Sequence, residues 1–277
     1  MYKWSEEEIV VTRDVIYGEV RGMELLLDIY NPPWNMEEGL RPAAVVIHGG
    51  GWKNQDKAGQ IFVGMSMQYA RMGLFTVSVD YRLSDEASAP AAVEDCKCAV
   101  RWLRAHADRY AVNPLLILAA GRSAGAHLAL MLGESRDPAL EGNGGWEEQS
   151  SAVSTVVAWF PITDVEDLIM PPNEREWAID WIGGGKGEPR IMARLVSPIQ
   201  YVSKESAPVL FIHGDSDEIV PYEHSVRMHQ AMKQAGVASE LITVPGGGHG
   251  TWPKQSEWLV QTIEETHIRF LRGAGIL

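Results

Sequence analysis

Residues 115–120 form an apolar run of strand length that meets Gly121-Arg122-Ser123-Ala124-Gly125, and a helix-forming segment follows at once. This is a strand, one tight turn and a helix, with a serine at the apex. Glycine is needed on both sides because a Cβ at Gly121 or Gly125 would meet the adjoining strand or helix. The serine backbone is forced into a strained region, and strain of about 1–3 kcal/mol persists only where packing enforces it, often at a functional site. The geometry exposes the Ser123 hydroxyl above the sheet edge and aims the helix N-terminus at whatever binds there. The same five residues could also be a plain strand–helix turn, so the rest of the chain has to decide.

A serine hydroxyl is a poor nucleophile at neutral pH and needs a base, which in turn needs an orienting carboxylate. Of the eight histidines, His127 lies one turn after Ser123 and is expected to pack against its own helix or a neighbour. His106, His224, His229 and His267 fall in helical segments and read as surface residues. His48 and His213 end strands in glycine turns, where a structural hydrogen bond is the usual role. His249 differs: it sits in Gly246-Gly247-Gly248-His249-Gly250, between the last strand and the last helix, in a loop able to carry an imidazole over the sheet edge. For the carboxylate, Asp217 follows the preceding strand, with Asp215 its chief rival and Glu218 third. Ser123, Asp217 and His249 satisfy the chain order nucleophile, acid, base, all at the C-terminal ends of neighbouring strands. Donors for a tetrahedral oxyanion are available at the Ala124 N–H and in the glycine run after His48, whose amides have no side chains to keep a substrate oxygen away.

The elements that must position these residues alternate. Residues 9–17 and 23–30 read as an opening antiparallel hairpin joined at 18–22. Residues 43–47, 74–79, 115–120, 153–160, 208–212 and 239–244 read as strands; the first of these lack alternation, as central strands covered on both faces do. Helices are expected over 59–72, 91–110, the segment after Ser123, 222–234 and 253–271. The pattern predicts an α/β class with a mostly parallel sheet and helices on both faces, in a single domain over 1–277. Residues 162–207 depart from the alternation. They contain Trp177, Trp181 and Gly183-Gly184-Gly185, and are expected to form a small helical insertion, a lid, over the site.

The net charge of −13 argues against nucleic acid or an anionic membrane as partner. No apolar stretch approaches the roughly 18 residues of a membrane-spanning helix. The opening residues lack the apolar segment of a secretion signal, so a cytoplasmic location is expected. Cys96 and Cys98, two apart in a helical segment, face different ways and are expected to be reduced structural thiols. No cysteine–histidine cluster suggests a metal.

Together these residues resemble the α/β-hydrolase fold, in particular esterases with a His-Gly-Gly-Gly-Trp oxyanion motif, here His48-Gly49-Gly50-Gly51-Trp52. The Ser197-Pro198-Ile199-Gln200-Tyr201-Val202 segment and the loop from His213 to Pro221 are similar to the bacterial feruloyl/acetylxylan esterase-like group. The resemblance covers nearly the whole chain and implies that Asp217 is the triad acid and that Gly50 and Gly51 join Ala124 in the oxyanion hole. It implies a serine carboxylesterase that works through an acyl-enzyme on short-chain or hydroxycinnamoyl esters, free or carbohydrate-linked, with no metal or organic cofactor. Two departures stand out. The chain starts its first strand by about residue 9, leaving no room for the N-terminal helical cap of hormone-sensitive-lipase-like relatives. Arg122 stands where many relatives carry Asp, Glu or His; it is expected to pair with a nearby carboxylate, the alternative being attraction of an acidic substrate. Trp52 is expected in the pocket wall, Trp177 and Trp181 on the lid, and Trp252 beside the leaving group, with plain packing the competing reading for the lid aromatics.

An arylformamidase would use the same machinery on an amide, but such relatives tend to have His-Gly-Gly-Tyr-Trp, and Gly51 favours an ester. A prolyl-peptidase-like activity lacks its gating propeller domain, and a non-catalytic scaffold would have no reason to keep all three triad members.

Overall fold

In the computed structural model the chain opens with a hairpin: β1 (Val10–Val20) runs antiparallel to β2 (Met23–Asn31). Its two-residue turn, Arg21-Gly22, has positive φ at both positions (52° and 82°), the twist that suits a tight hairpin. The strand thus continues through Gly18, where the register shifts between Ile16 and Gly18, rather than ending at residue 17. The structure describes residues 2–184, 188–251 and 257–277.

β3 (Arg41–Ile47), β4 (Phe75–Val79), β5 (Val112–Arg122), β6 (Thr155–Trp159), β7 (Val209–Gly214) and β8 (Ser239–Val244) complete one eight-stranded sheet in the order β1-β2-β4-β3-β5-β6-β7-β8. β2 pairs antiparallel with β4, and every pairing from β4 to β8 is parallel. Parallel strands need crossovers and have both faces covered. In β3, accordingly, Ala43, Val45 and Ile47 face one buried cluster while Ala44 and Val46 face another. β5 begins earlier than its apolar run suggests, because Pro114, which lacks an N–H, is accommodated where the register against β3 shifts between Arg41 and Ala43.

The helices are α1 (Gln60–Arg71), α2 (Ala91–Ala105), α3 (Ala124–Glu134), α4 (Glu176–Trp181), α5 (Pro189–Leu195), α6 (Glu223–Gln234) and α7 (Glu257–Gly273). The helix expected over 91–110 stops at Ala105. A separate 3₁₀ turn follows at Asp108–Tyr110, and Ala111 at φ 53° turns the chain into β5. Apolar spacing continues through Ala107 and Tyr110, which hides the break. Of the helix expected over 253–271, residues 253–256 lie outside the described residues. Cys96 and Cys98 are both buried free thiols.

Between β6 and β7 the chain makes a 3₁₀ turn at Asp167–Ile169, then α4 and α5, then a 3₁₀ turn at Pro198–Tyr201. Ile162, Val165, Leu168, Ala178, Ala193 and Val196 of this segment are buried in the main core. The insertion is therefore bonded into the domain as well as facing the sheet edge.

Candidate active site

β5 ends at Arg122, and Ser123 is the residue that joins it to α3. Ser123 has φ 54° and ψ −121°, a backbone region costly for a residue with a side chain. Packing enforces it. A Cβ on Gly121 would lie 2.3 Å from the Gly125 carbonyl oxygen, and one on Gly125 would lie 2.2 Å from the Ile47 and 2.4 Å from the His48 carbonyl oxygens. The two glycines let the end of β3, the end of β5 and the start of α3 meet without side chains between them. The Ser123 amide donates to the Trp159 carbonyl of β6 at 2.9 Å, and its own carbonyl accepts from the His127 amide at 3.0 Å.

Asp217 lies in the loop after β7 and His249 in the loop after β8. The Ser123 Oγ–H donates to His249 Nε2 at 2.9 Å, and His249 Nδ1–H donates to Asp217 Oδ2 at 2.7 Å. That tautomer follows from the network, since a carboxylate can only accept. The other Asp217 oxygen accepts from the Ile219 and Val220 amides at 2.9 and 3.0 Å. Its side chain is 0% exposed, whereas that of His249 is 15% exposed, so the carboxylate is sealed while the imidazole opens to the pocket. Burial works to raise the Asp217 pKa, but hydrogen bonds from His213 and His249, and the Val220 amide, outweigh it and hold the carboxyl well below the usual carboxylate range.

The second histidine on this carboxylate was not legible from the sequence as a site residue. His213 Nε2–H is shared between Asp217 Oδ2 and the Val220 carbonyl, each at 3.2 Å, while its Nδ1 accepts from Ser225 Oγ at 2.8 Å. Asp215, the rival acid, instead accepts from the Gly246 amide at 2.6 Å and fastens the loop that carries His249. Glu218 contributes its backbone carbonyl, which accepts from Arg175 of the insertion.

The amides of Gly50, Gly51 and Ala124 donate to no acceptor among the described residues. The glycine run is fixed from behind by Tyr81, whose hydroxyl donates to the His48 and Gly49 carbonyls at 3.1 Å each. His48 stacks on the same ring at 4.2 Å and donates to the Gly49 carbonyl, a structural role. A cavity of about 420 Å³ opens over Ser123 and His249, walled by the glycine run, Ile61, Phe62, Phe160, Trp177 and Ile219. Trp177 covers Gly51 at 3.5 Å from where a Cβ would be. Among the described residues no group of three or more His, Cys, Asp and Glu side chains could hold a metal ion.

Several expectations require correction. Trp52 does not line the cavity: at φ 56° it turns inward, is fully buried, and stacks on Trp181 at 3.9 Å. Trp181 is likewise core rather than lid lining. Both pack edge-on to His127, which accepts from Trp52 Nε1 at 3.3 Å and donates to the Val196 carbonyl at 2.6 Å. Burial pushes the His127 pKa down to about 4. Trp252 lies outside the described residues. His224 and His267 are buried, not surface residues: Asp167 faces the first at 3.0 Å and the Tyr69 hydroxyl the second at 3.2 Å. Arg122 has no carboxylate partner among the described residues; its guanidinium lies over Phe160 at 5.0 Å and Trp159 at 5.9 Å, at the cavity wall.

The chain matches the BD-FAE family over residues 27–232. Among curated relatives it is 32% identical to Esterase LipQ of Mycobacterium tuberculosis (strain ATCC 25618 / H37Rv) over 86% of this chain and 56% of that protein. The chain spans about half the length of the curated relatives it matches. A truncated carbohydrate esterase from gut microbiota superposes with a TM-score of 0.79 at 27% identity, over 99% of this chain and all of that one. Propionate-bound esterase Est2 of Thermogutta terrifontis superposes with a TM-score of 0.80 at 28% identity, over 98% of this chain and 96% of that one.

Proposed function

The chain belongs to the BD-FAE family and has the α/β-hydrolase fold, and we propose that it is a serine carboxylesterase that works through an acyl-enzyme. The observation that carries this reading is the unbroken hydrogen-bond chain from Ser123 Oγ through His249 to Asp217, with its serine in a strained backbone conformation at the cavity floor.

Ser123 Oγ attacks the ester carbonyl carbon as its proton passes to His249 Nε2. The carbonyl oxygen becomes an oxyanion that accepts from the Gly50, Gly51 and Ala124 amides, a stabilisation worth about 10²–10³ in turnover per donor in comparable sites. Collapse breaks the bond to the alcohol oxygen, which takes the proton back from His249, leaving the acyl group on Ser123. Water, deprotonated by His249, repeats the sequence and frees the acid. Asp217 stabilises the imidazolium and holds its tautomer.

The substrates we propose are short-chain acyl and hydroxycinnamoyl esters, including carbohydrate-linked ones. Support comes from a cavity of about 420 Å³, from propionate and butyrate bound to Est2, and from the carbohydrate esterase among similar structures. Initial rates on p-nitrophenyl acetate, butyrate and octanoate, on methyl ferulate and on N-formylkynurenine, with Ser123→Ala alongside, test the reading. Turnover of acetate and ferulate that disappears in the variant is expected. Turnover of the formamide alone would replace the esterase reading with an arylformamidase, and undiminished rates in Ser123→Ala would end both.

A further inference from the structure

Arg122 is a cation without a matching anion among the described residues, in a strongly acidic protein. Other arginines of the chain find acceptors: Arg82 meets Asp95, Arg101 meets Glu141, and Arg175 meets the carbonyls of Glu218 and Ile219. Arg122 is seated against rings instead, over Phe160 and Trp159. A Cβ on Gly250 would come within 3.0 Å of one of its terminal nitrogens, so a glycine after His249 is what leaves room for the guanidinium there.

Among the described residues, the charges that face the cavity are all of one sign. Its described lining contains Lys53 and Arg122 and neither Asp nor Glu. Lys53 is already paired with Asp180 at 2.9 Å, and Asp217 lies sealed behind His249, which leaves the Arg122 charge uncompensated among the described residues. Burial lowers the Arg122 pKa, the mark of a cation that has given up some water. A partly desolvated guanidinium gains most from an anion, and its planar fork matches the two oxygens of a carboxylate.

The side of the cavity follows from the chemistry. His249 Nε2 must reach the leaving oxygen to protonate it, so the alcohol part of an ester lies on the His249 side, away from the glycine amides that take the carbonyl oxygen. Arg122 belongs to that side: Phe160 packs on the His249 ring at 4.5 Å and under the guanidinium at 5.0 Å, and Gly250 adjoins both. We infer that Arg122 binds an anion on the leaving group, so that the preferred substrates are esters whose alcohol part carries a carboxylate. This rests on the esterase reading above and narrows it.

Two acetate esters provide the test, para-acetoxybenzoate and its neutral methyl ester, which replaces the charge with a methyl ester group; kcat/KM for release of acetate is compared in wild type, Arg122→Met and Arg122→Lys. Each ratio of anionic to neutral ester cancels general losses in a variant. Arg122→Met should lower the ratio by about tenfold or more, the worth of one hydrogen bond to a charged group, largely through KM, and Arg122→Lys should restore part of it. An unchanged ratio in Arg122→Met, with the neutral ester still turned over, overturns the anion site and leaves the esterase standing. Turnover of neither ester by wild type overturns both. Should Arg122→Met not fold, competitive inhibition of wild type decides: para-hydroxybenzoate must bind about tenfold tighter than its methyl ester, and equal binding refutes the inference.

Discussion

Replacing Asp217 with asparagine changes one oxygen into an NH₂ group and leaves the volume nearly untouched, yet the surroundings have no place for it. The four hydrogen-bond partners of the carboxylate among the described residues are all donors: His249 and His213 on Oδ2, the Ile219 and Val220 amides on Oδ1. The backbone amides cannot change, so the asparagine oxygen must stay with them and its NH₂ must face the two histidines. His249 can accept that hydrogen only by moving its own proton to Nε2, where it then faces the Ser123 hydroxyl and can no longer take its proton. The wrong tautomer in a triad of this kind lowers kcat by about 10⁴, equivalent to about 5 kcal/mol of activation free energy. KM should change little, because Asp217 does not line the cavity. Steady-state rates on p-nitrophenyl acetate measure both constants. Asp215→Asn, which among the described residues disturbs the Gly246 amide bond and the neighbouring Ser216 hydroxyl, should cost less than about tenfold on the usual scale of a single hydrogen bond. If Asp217→Asn kept a tenth of wild-type kcat while Asp215→Asn or Glu218→Gln lost most of it, the assignment of the acid would be wrong.

Gly125→Ala forces a Cβ to within 2.4 Å of two backbone carbonyl oxygens, so β3 and α3 must separate and carry Gly50 and Gly51 away from Ser123; kcat should fall by roughly 10² or more, read by rates alongside a melting curve, and normal activity would contradict the close approach. Trp52→Ala should cost about 3–5 kcal/mol in denaturant unfolding, because it empties a fully buried stack, whereas Trp177→Ala should mainly raise KM with stability closer to wild type. Glu134, at the C-terminal end of α3, has both carboxylate oxygens buried with no hydrogen bond of ordinary geometry among the described residues, and burial, only partly offset by the nearby Ser206 hydroxyl and Arg136, pushes its pKa up to about 7 from 4.5. The unfolded chain therefore loses this proton first as pH rises: ionisation of the group costs nothing below about pH 4.5 and destabilises the fold by about 3 kcal/mol above pH 7. Glu134→Gln should then be the more stable protein in urea at about pH 8 and match wild type near pH 4; an equal difference at both would refute that account.

Much of this architecture is written in local chemistry. Continuous apolar runs at Ala43–Ile47 and around Leu118 read as strands covered on both faces, and glycines on both sides of Ser123 fit a turn where three backbones meet. His249 stands out because no apolar face claims it. What escaped the sequence depends on contacts between distant segments. A tryptophan beside three glycines reads as pocket wall, but the left-handed backbone at Trp52 turns it into the core, onto Trp181 from the insertion. His224 and His267 sit on helices with mixed faces, and only the packing of the 162–207 segment and of Tyr69 shows that they are covered. His213 ends a strand like any other, and its bond to Asp217 exists because the loop returns across four residues to meet it. Arg122 reads from the sequence as the partner of an acid; its aromatic seat comes instead from Trp159 at the end of β6 and Phe160 just beyond it, and the register of that strand against β5 is not revealed by the sequence.

The central claim is that Ser123 becomes covalently acylated. Wild type mixed with excess p-nitrophenyl butyrate, quenched in acid within the first turnovers and digested, should show one peptide, that carrying Ser123, heavier by one butyryl group, with the adduct absent from Ser123→Ala and accumulating in a variant of His249. An adduct on another residue, or full turnover by Ser123→Ala with no adduct in any variant, would contradict the account.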